Sequence, residues 1–310
     1  MLLTAAIVPG PPAFVPELMG SAAHELDDLR DAADSVVSRV VSDLVAASAD
    51  SPADSPADSS PTGAASAGVA STGVASAVAD SVQLVIVGPG QPGEFNAAGP
   101  VSFVSFGRDV VVPALVEGDP RGGAVDPGDP GDPGEMETTG DRPLPTPLMV
   151  ARHLASRDIA VHPEHAALWA SARWITTSGS DATALGEQLR GDGTRIGLIL
   201  VADGAACHGP KAPRAEDSRA PAYEDAVCAA LASGQGGQLD QIDADLGREL
   251  GATLPQVWPV LLAAADGDWI GELAWRGAPY GVGWAVAAWR RPAANAPGAG
   301  DLSVVHLPGR

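Results

Sequence analysis

The sequence predicts an α/β protein, a single domain with a mostly parallel or mixed central sheet flanked by helices. Three observations lead there. Short apolar runs rich in β-branched residues alternate with longer stretches whose apolar positions recur every three or four residues. Those stretches are long enough to serve as crossover helices between neighbouring strands. The chain has 310 residues, 45% of them hydrophobic, enough for one sizeable core.

The order of elements follows from these patterns. Residues 1 to 9 are apolar and stop at a Pro/Gly cluster; with no positive residues ahead they are too short for a leader or a span and read as a strand. From Pro16, suited to a first helical turn, Leu18, Ala22, Leu26, Leu29, Ala33, Val36, Val40 and Leu44 outline one long amphipathic helix. Residues 82 to 87 form a buried-type strand ending on Gly88, and 101 to 106 another. A helix over 147–156, a strand over 172–176, a helix over 181–190 and a strand over 195–202 come next. Helices over 222–232, 239–250 and 254–265 precede a closing strand at 282–289.

Two segments break the pattern. Residues 46–80 carry a tandem Ser-Pro-Ala-Asp repeat and then Gly, Ala, Ser and Val, too little apolar bulk to offset ordering. Residues 117–143 hold three consecutive Asp-Pro-Gly triplets from Asp126 to Gly134, each a turn signal. Both are expected to be disordered insertions in a domain spanning 1–291, because the pieces beside them are too short to be domains of their own. The Pro/Gly/Ala-rich residues 292–310 read as a flexible tail.

Composition narrows the partners. The net charge is −21 and Lys211 is the single lysine, so phosphate backbones and anionic lipid are repelled; neither nucleic acid nor membrane is an expected partner. Two cysteines, Cys207 and Cys228, make neither a metal spacing nor a disulfide framework, which fits the cytoplasm. Small side chains dominate the core. Five of the seven tryptophans fall between Trp258 and Trp289, and the run from Trp269 to Trp289 is expected to be packed.

Few motifs carry chemistry. Gly88-Pro89-Gly90-Gln91-Pro92-Gly93 matches a dinucleotide fingerprint in spacing, but two prolines remove donors and no helix start follows, so it reads as a turn leaving a strand. His162 and His165, around Pro163 and Glu164, read as solvated turn histidines. His24, His153 and His306 read as surface or boundary residues. The stretch from Val201 to Pro213 is the most informative. A strand runs into small residues presenting Asp203, Cys207 and His208 at a strand end, where α/β sheets bind ligands. His208 has the intrinsic pKa of a general base. The residues alone leave open whether this is a proton-handling site or a tight turn.

That stretch, with Pro9-Gly10-Pro11-Pro12, Val15-Pro16-Glu17-Leu18, Glu25-Leu26-Asp27-Asp28-Leu29-Arg30 and Ala278-Pro279-Tyr280-Gly281-Val282-Gly283, resembles the catalytic B subunit of class III extradiol ring-cleavage dioxygenases, in particular an actinobacterial group similar to protocatechuate 4,5-dioxygenase. The resemblance implies a subunit-B-like fold and a cleft around Gly10, Pro11, Gly88, Gly204 and Tyr280. In that family ferrous iron sits on two histidines and a glutamate, and a further histidine is the acid/base. Here Gly10 and Gly88-Pro89-Gly90 stand where the two histidines would be, and residues 251–265 hold no carboxylate, Gln256 being the nearest polar substitute. His208 alone matches, as the acid/base, with Asp203 beside it. The implied protein is therefore a metal-free relative, without cofactor, binding a small aromatic molecule or a protein. The alternative is an active Fe(II) and O2 dioxygenase with a substitute ligand set drawn from Asp203, His208, Glu224, Glu17 and His24. Oligomeric state is left open.

Overall fold

The computed structural model describes residues 1–49, 82–115 and 142–292. Nearly all of the expected insertions, and the tail beyond Pro292, lie outside these residues. At the near edges the helix before the first insertion continues through residues 46–49, and residues 142 and 143 are irregular.

Seven strands form one mixed sheet. In chain order they are β1 (Leu2–Val8), β2 (Val82–Pro89), β3 (Gly93–Phe95), then, after the small separate pair β4 (Val101–Ser102) and β5 (Val111–Val112), β6 (Arg173–Thr177), β7 (Arg195–Val201), β8 (Ile270–Gly277) and β9 (Trp284–Arg290). The sheet order is β3-β6-β2-β7-β1-β9-β8. The four inner strands β6, β2, β7 and β1 are parallel; β3 at one edge and β9 and β8 at the other are antiparallel to their neighbours.

Helices cover both faces. They are α1 (Pro16–Met19), α2 (Asp27–Ala49), α3 (Thr146–Val161), α4 (Ala166–Ala170), α5 (Ser180–Gly191), α6 (Ala220–Ser233), α7 (Gly236–Asp240), α8 (Ala244–Glu249) and α9 (Trp258–Ala264). Strand alternation divides the core. Ala5 and Ile7 of β1, with Leu198 and Leu200 of β7, face Val227, Leu231 and Leu261 from α6 and α9. Ala6 and Val8, with Ile199 and Val201, face Leu29, Val36, Leu44 and Leu148 from α2 and α3. At the centre of the second face α2 lies so close to β7 that a Cβ on Gly197 would stand 2.7 Å from Leu44 Cδ1.

Four expected elements differ, the first two for a local reason. The long helix from Pro16 is interrupted, because Gly20 takes a left-handed φ of 56° and residues Gly20–Leu26 follow as 3-10 turns before α2 begins. The helix expected over 239–250 is two, since the Asp243 carboxylate accepts from the backbone N–H of Asp245 and Leu246 at 2.9 and 3.0 Å and starts α8 afresh. Residues 254–256 form a 3-10 turn ahead of α9, and the strand expected over 101–106 shortens to β4 plus another such turn. β8 has no counterpart in the expected elements. Its side chains alternate between exposed and half-buried, too weakly to stand out as a strand.

The tryptophans are mostly interior, as expected for 269–289: Trp169, Trp174, Trp258, Trp269, Trp284 and Trp289 are buried, while Trp275 on the edge strand is half-buried. Native emission is accordingly expected to be blue-shifted and to move to the red on unfolding. A native spectrum already at the solvated position would contradict this packing.

Candidate functional site

Adjacent strands β1 and β7 send their chains to opposite faces of the sheet: β1 leads to α2 on one side, β7 to α6 on the other. Such a switch point opens a crevice at the C-terminal strand ends. Gly10 lies just past one strand and Asp203 just past the other. The Gly10 N–H donates to Asp203 Oδ1 at 3.1 Å and ties the two ends together.

The turn after β7 is held from two sides. On one, Thr253 and Leu254 N–H donate to the Asp203 carbonyl, Thr253 Oγ1 accepts from Asp203 N at 2.9 Å, and Ala206 N–H donates to the Leu250 carbonyl. On the other, Gly204 N–H donates to the Gly283 carbonyl, Gly283 N–H to the Ala205 carbonyl, each at 2.7 Å, and His208 N–H to the Gly281 carbonyl at 3.0 Å. The segment leading into this contact is strained. Tyr280 has φ 58°, the one non-glycine residue with positive φ among those described. Its hydroxyl donates to Glu25 Oε2 at 2.7 Å and its ring meets Trp284 edge-on, 6.4 Å between centroids.

Within this frame α6 delivers Glu224. Its carboxylate is wedged between two glycines: a Cβ on Gly204 would lie 2.3 Å, and one on Gly283 2.2 Å, from Oε2. Oε2 accepts from Ala205 N–H at 3.1 Å and stands 3.7 Å from His208 Nε2. That nitrogen is buried and has no hydrogen-bond partner. Burial raises the Glu224 pKa, opposed by the Ala205 N–H and by His208. Burial also pushes Asp203 up to about 6, partly offset by the Gly10 N–H, with the Glu224 charge adding to the rise. Two carboxyls and an imidazole thus share one largely buried corner.

Cys207 does not join them. It is buried, its thiol donates to the Leu250 carbonyl at 3.4 Å, and burial raises its pKa. Glu17 and His24 are exposed; His24 Nδ1 lies 2.9 Å from the Ser21 carbonyl in its own turn. Of the residues considered as substitute ligands, His208 and Glu224 come together, with Asp203 alongside.

Gly10 and Gly88 are buried rather than lining an open cleft, because the N-terminus of α3 sits on both. Built Cβ atoms at Gly10 and Gly88 would each lie 3.2 Å from Pro147 Cβ, with Val201 Cγ1 also 3.2 Å from the former and Leu148 Cδ2 3.4 Å from the latter. Packing therefore fills the space around both glycines, the positions expected from the resemblance to face a cleft. Pro11 is half-buried and its carbonyl accepts from Phe14 N–H, closing a turn that Arg30 Nε also binds at the Phe14 carbonyl, 2.8 Å. Gln256 lines a different cavity.

That cavity, about 1180 Å³, lies between α5 and the α7 to α9 segment, with Arg190, Arg248, Gln256 and Trp258 in its wall. None of Asp203, His208 and Glu224 reaches it. No sequence motif marks it, since its wall is assembled from residues far apart in the chain.

Two histidines are not where their sequence placed them. His153 is buried on α3, and burial lowers its pKa to about 4. His165 is buried rather than solvated, with Nδ1 2.8 Å from Asp158 Oδ2, an oxygen that also accepts from Trp169 Nε1 at 2.7 Å. An Asp, a His and a Trp at helix-like spacings of seven and four residues was the available signal.

Comparison of the chain with known protein families and with curated proteins finds no match. No helix among the described residues is long and apolar enough to cross a membrane.

Proposed function

We propose that this chain is a relative of the class III extradiol dioxygenases that holds no iron at the C-terminal ends of β1 and β7 and binds a small phenolic molecule there. The observation carrying this reading is His208 Nε2, buried without a partner 3.7 Å from the Glu224 carboxylate. A buried nitrogen left unpaired costs free energy that a ligand hydroxyl would recover. A phenol would donate to it, or pass its proton to the His208–Glu224 pair. Asp203 and Glu224 make the corner acidic, which favours a neutral phenol over a benzoate. With Gly10 and Gly88 packed against Pro147, three-point attachment of ferrous iron has no basis in these residues.

The test is calorimetric titration of chelator-treated protein with catechol and with protocatechuate. Catechol is expected to bind without metal and more tightly than protocatechuate, and His208→Ala to abolish binding. Anaerobic addition of ferrous iron followed by oxygen should give no yellow ring-opened product, and Gly10→His should not create it. Product that His208→Ala abolishes would establish the alternative, an active Fe(II) and O2 dioxygenase with a substitute ligand set. Absence of binding, or binding lost in Trp258→Ala but kept in His208→Ala, would move the ligand out of this corner and overturn the assignment.

A further inference from the structure

We propose a second site, for a divalent transition metal of the zinc class, on His162, Glu164 and His165 at the C-terminal end of α3. Among the described residues this is the trio of potential ligands whose donor atoms, one from each, all lie within 4.8 Å of one another. It shares no residue with the Asp203–His208–Glu224 corner and is independent of the phenol-binding reading.

The chemistry begins with Asp158. It is buried on the last turns of α3, and its carboxylate accepts from Ser38 Oγ, Trp169 Nε1 and His165 Nδ1. A carboxylate in this position fixes Nδ1 as the protonated nitrogen of His165, so Nε2 carries the lone pair. Metal-binding histidines are oriented in this way, their second nitrogen bound to a carboxylate that also raises ligand basicity. Nε2 points toward α2, where its nearest polar atom is Ser42 Oγ at 3.3 Å, longer than a good hydroxyl bond and readily exchanged.

The other two donors are exposed and lie close by. His162 stacks on His165 with 4.8 Å between ring centroids, and its Nδ1 lies 3.4 Å from Glu164 Oε1. The side chains of His162 and Glu164 are 37% and 61% exposed, so neither gives up a buried partner to turn. Pro163 fixes the turn that brings all three together in four residues. His162 also lines, with Asp158, Ser38 and Ser42, a groove of about 620 Å³ between α2 and α3 that adjoins the trio on one side. Two imidazoles, one carboxylate and an open position suit zinc better than magnesium or calcium, which take oxygen ligands.

The experiment uses the full chain, freed of metal by chelator, titrated with zinc against a chromophoric chelator and separately with cobalt, whose visible spectrum reports nitrogen coordination. One equivalent is expected to bind. His162→Ala and Glu164→Gln, both at exposed positions, should each weaken zinc affinity at least about tenfold, as should Asp158→Asn through the orientation of His165. His208→Ala should leave it unchanged. Failure to bind one equivalent, affinity untouched by His162→Ala and Glu164→Gln, or binding abolished by His208→Ala would each overturn the site.

Discussion

Gly283→Ala is expected to destabilise the fold by about 1–3 kcal/mol, lowering the melting temperature by roughly 3–10 °C, and Gly204→Ala to do the same. A Cβ on Gly283 would lie 2.2 Å from Glu224 Oε2 and 2.4 Å from Cδ; on Gly204 it would lie 2.3 and 2.4 Å from the two carboxylate oxygens. The carboxyl group cannot retreat from one glycine without meeting the other. Moving it would also break the Ala205 N–H bond and leave a buried donor unpaired. The clash is with a single side chain, so it disappears when that side chain does. In a Glu224→Ala background, Gly283→Ala should be nearly neutral. Thermal melts of the four proteins in that cycle give the coupling directly. Additive effects would mean that Glu224 is not held where it appears between the two glycines.

This arrangement explains what could be read from the sequence and what could not. The inner strands announced themselves because β1, β2 and β7 are short, mostly apolar runs buried on both faces. The long helix was legible from Leu26 through Leu44, since its buried positions keep the helical period. Its interruption was not, because nothing in the local pattern distinguishes a left-handed Gly20 from a helical one. Asp203 and His208 were legible as candidates because they sit together at a strand end. Glu224 entered only as a possible substitute ligand. What makes it part of the site is the pair of glycines that admits its carboxylate, 79 residues apart in the chain (283 − 204), and no local pattern records that meeting. The same holds for Pro147. Its distance in sequence from Gly10 and Gly88 hides that it packs over both.

Acid stability should depend on two opposing sets of groups, separable by substitution. His153 is 8% exposed, and its Nε2 has no partner. Burial lowers its pKa to about 4; the charged groups that face it, Glu17 and Asp34 on one side and Arg157 and Arg30 on the other, largely cancel. A base whose folded pKa lies below its unfolded one binds fewer protons when folded. Its stabilising contribution is complete above about pH 6.5 and is lost as the pH falls toward 4, on the order of 3 kcal/mol in all. Asp203, pushed up to about 6, and Glu224, also raised, have the opposite sign. As acids that hold their protons longer in the folded state, they contribute stability that is complete below about pH 4 and fades as the pH rises to 6 and beyond. Between pH 4 and 6 the two trends offset each other in the unmodified protein. His153→Leu removes the acid-side loss, so relative to the parent its stability should improve as the pH is lowered from 6.5 to 4. Asp203→Asn removes part of the opposing trend, and its stability relative to the parent should worsen over the same interval. Urea denaturation at intervals from pH 4 to 8 measures both, and the differences between profiles cancel the remaining carboxylates. Parallel profiles for parent and variants would show that neither group titrates in the folded state as its burial requires.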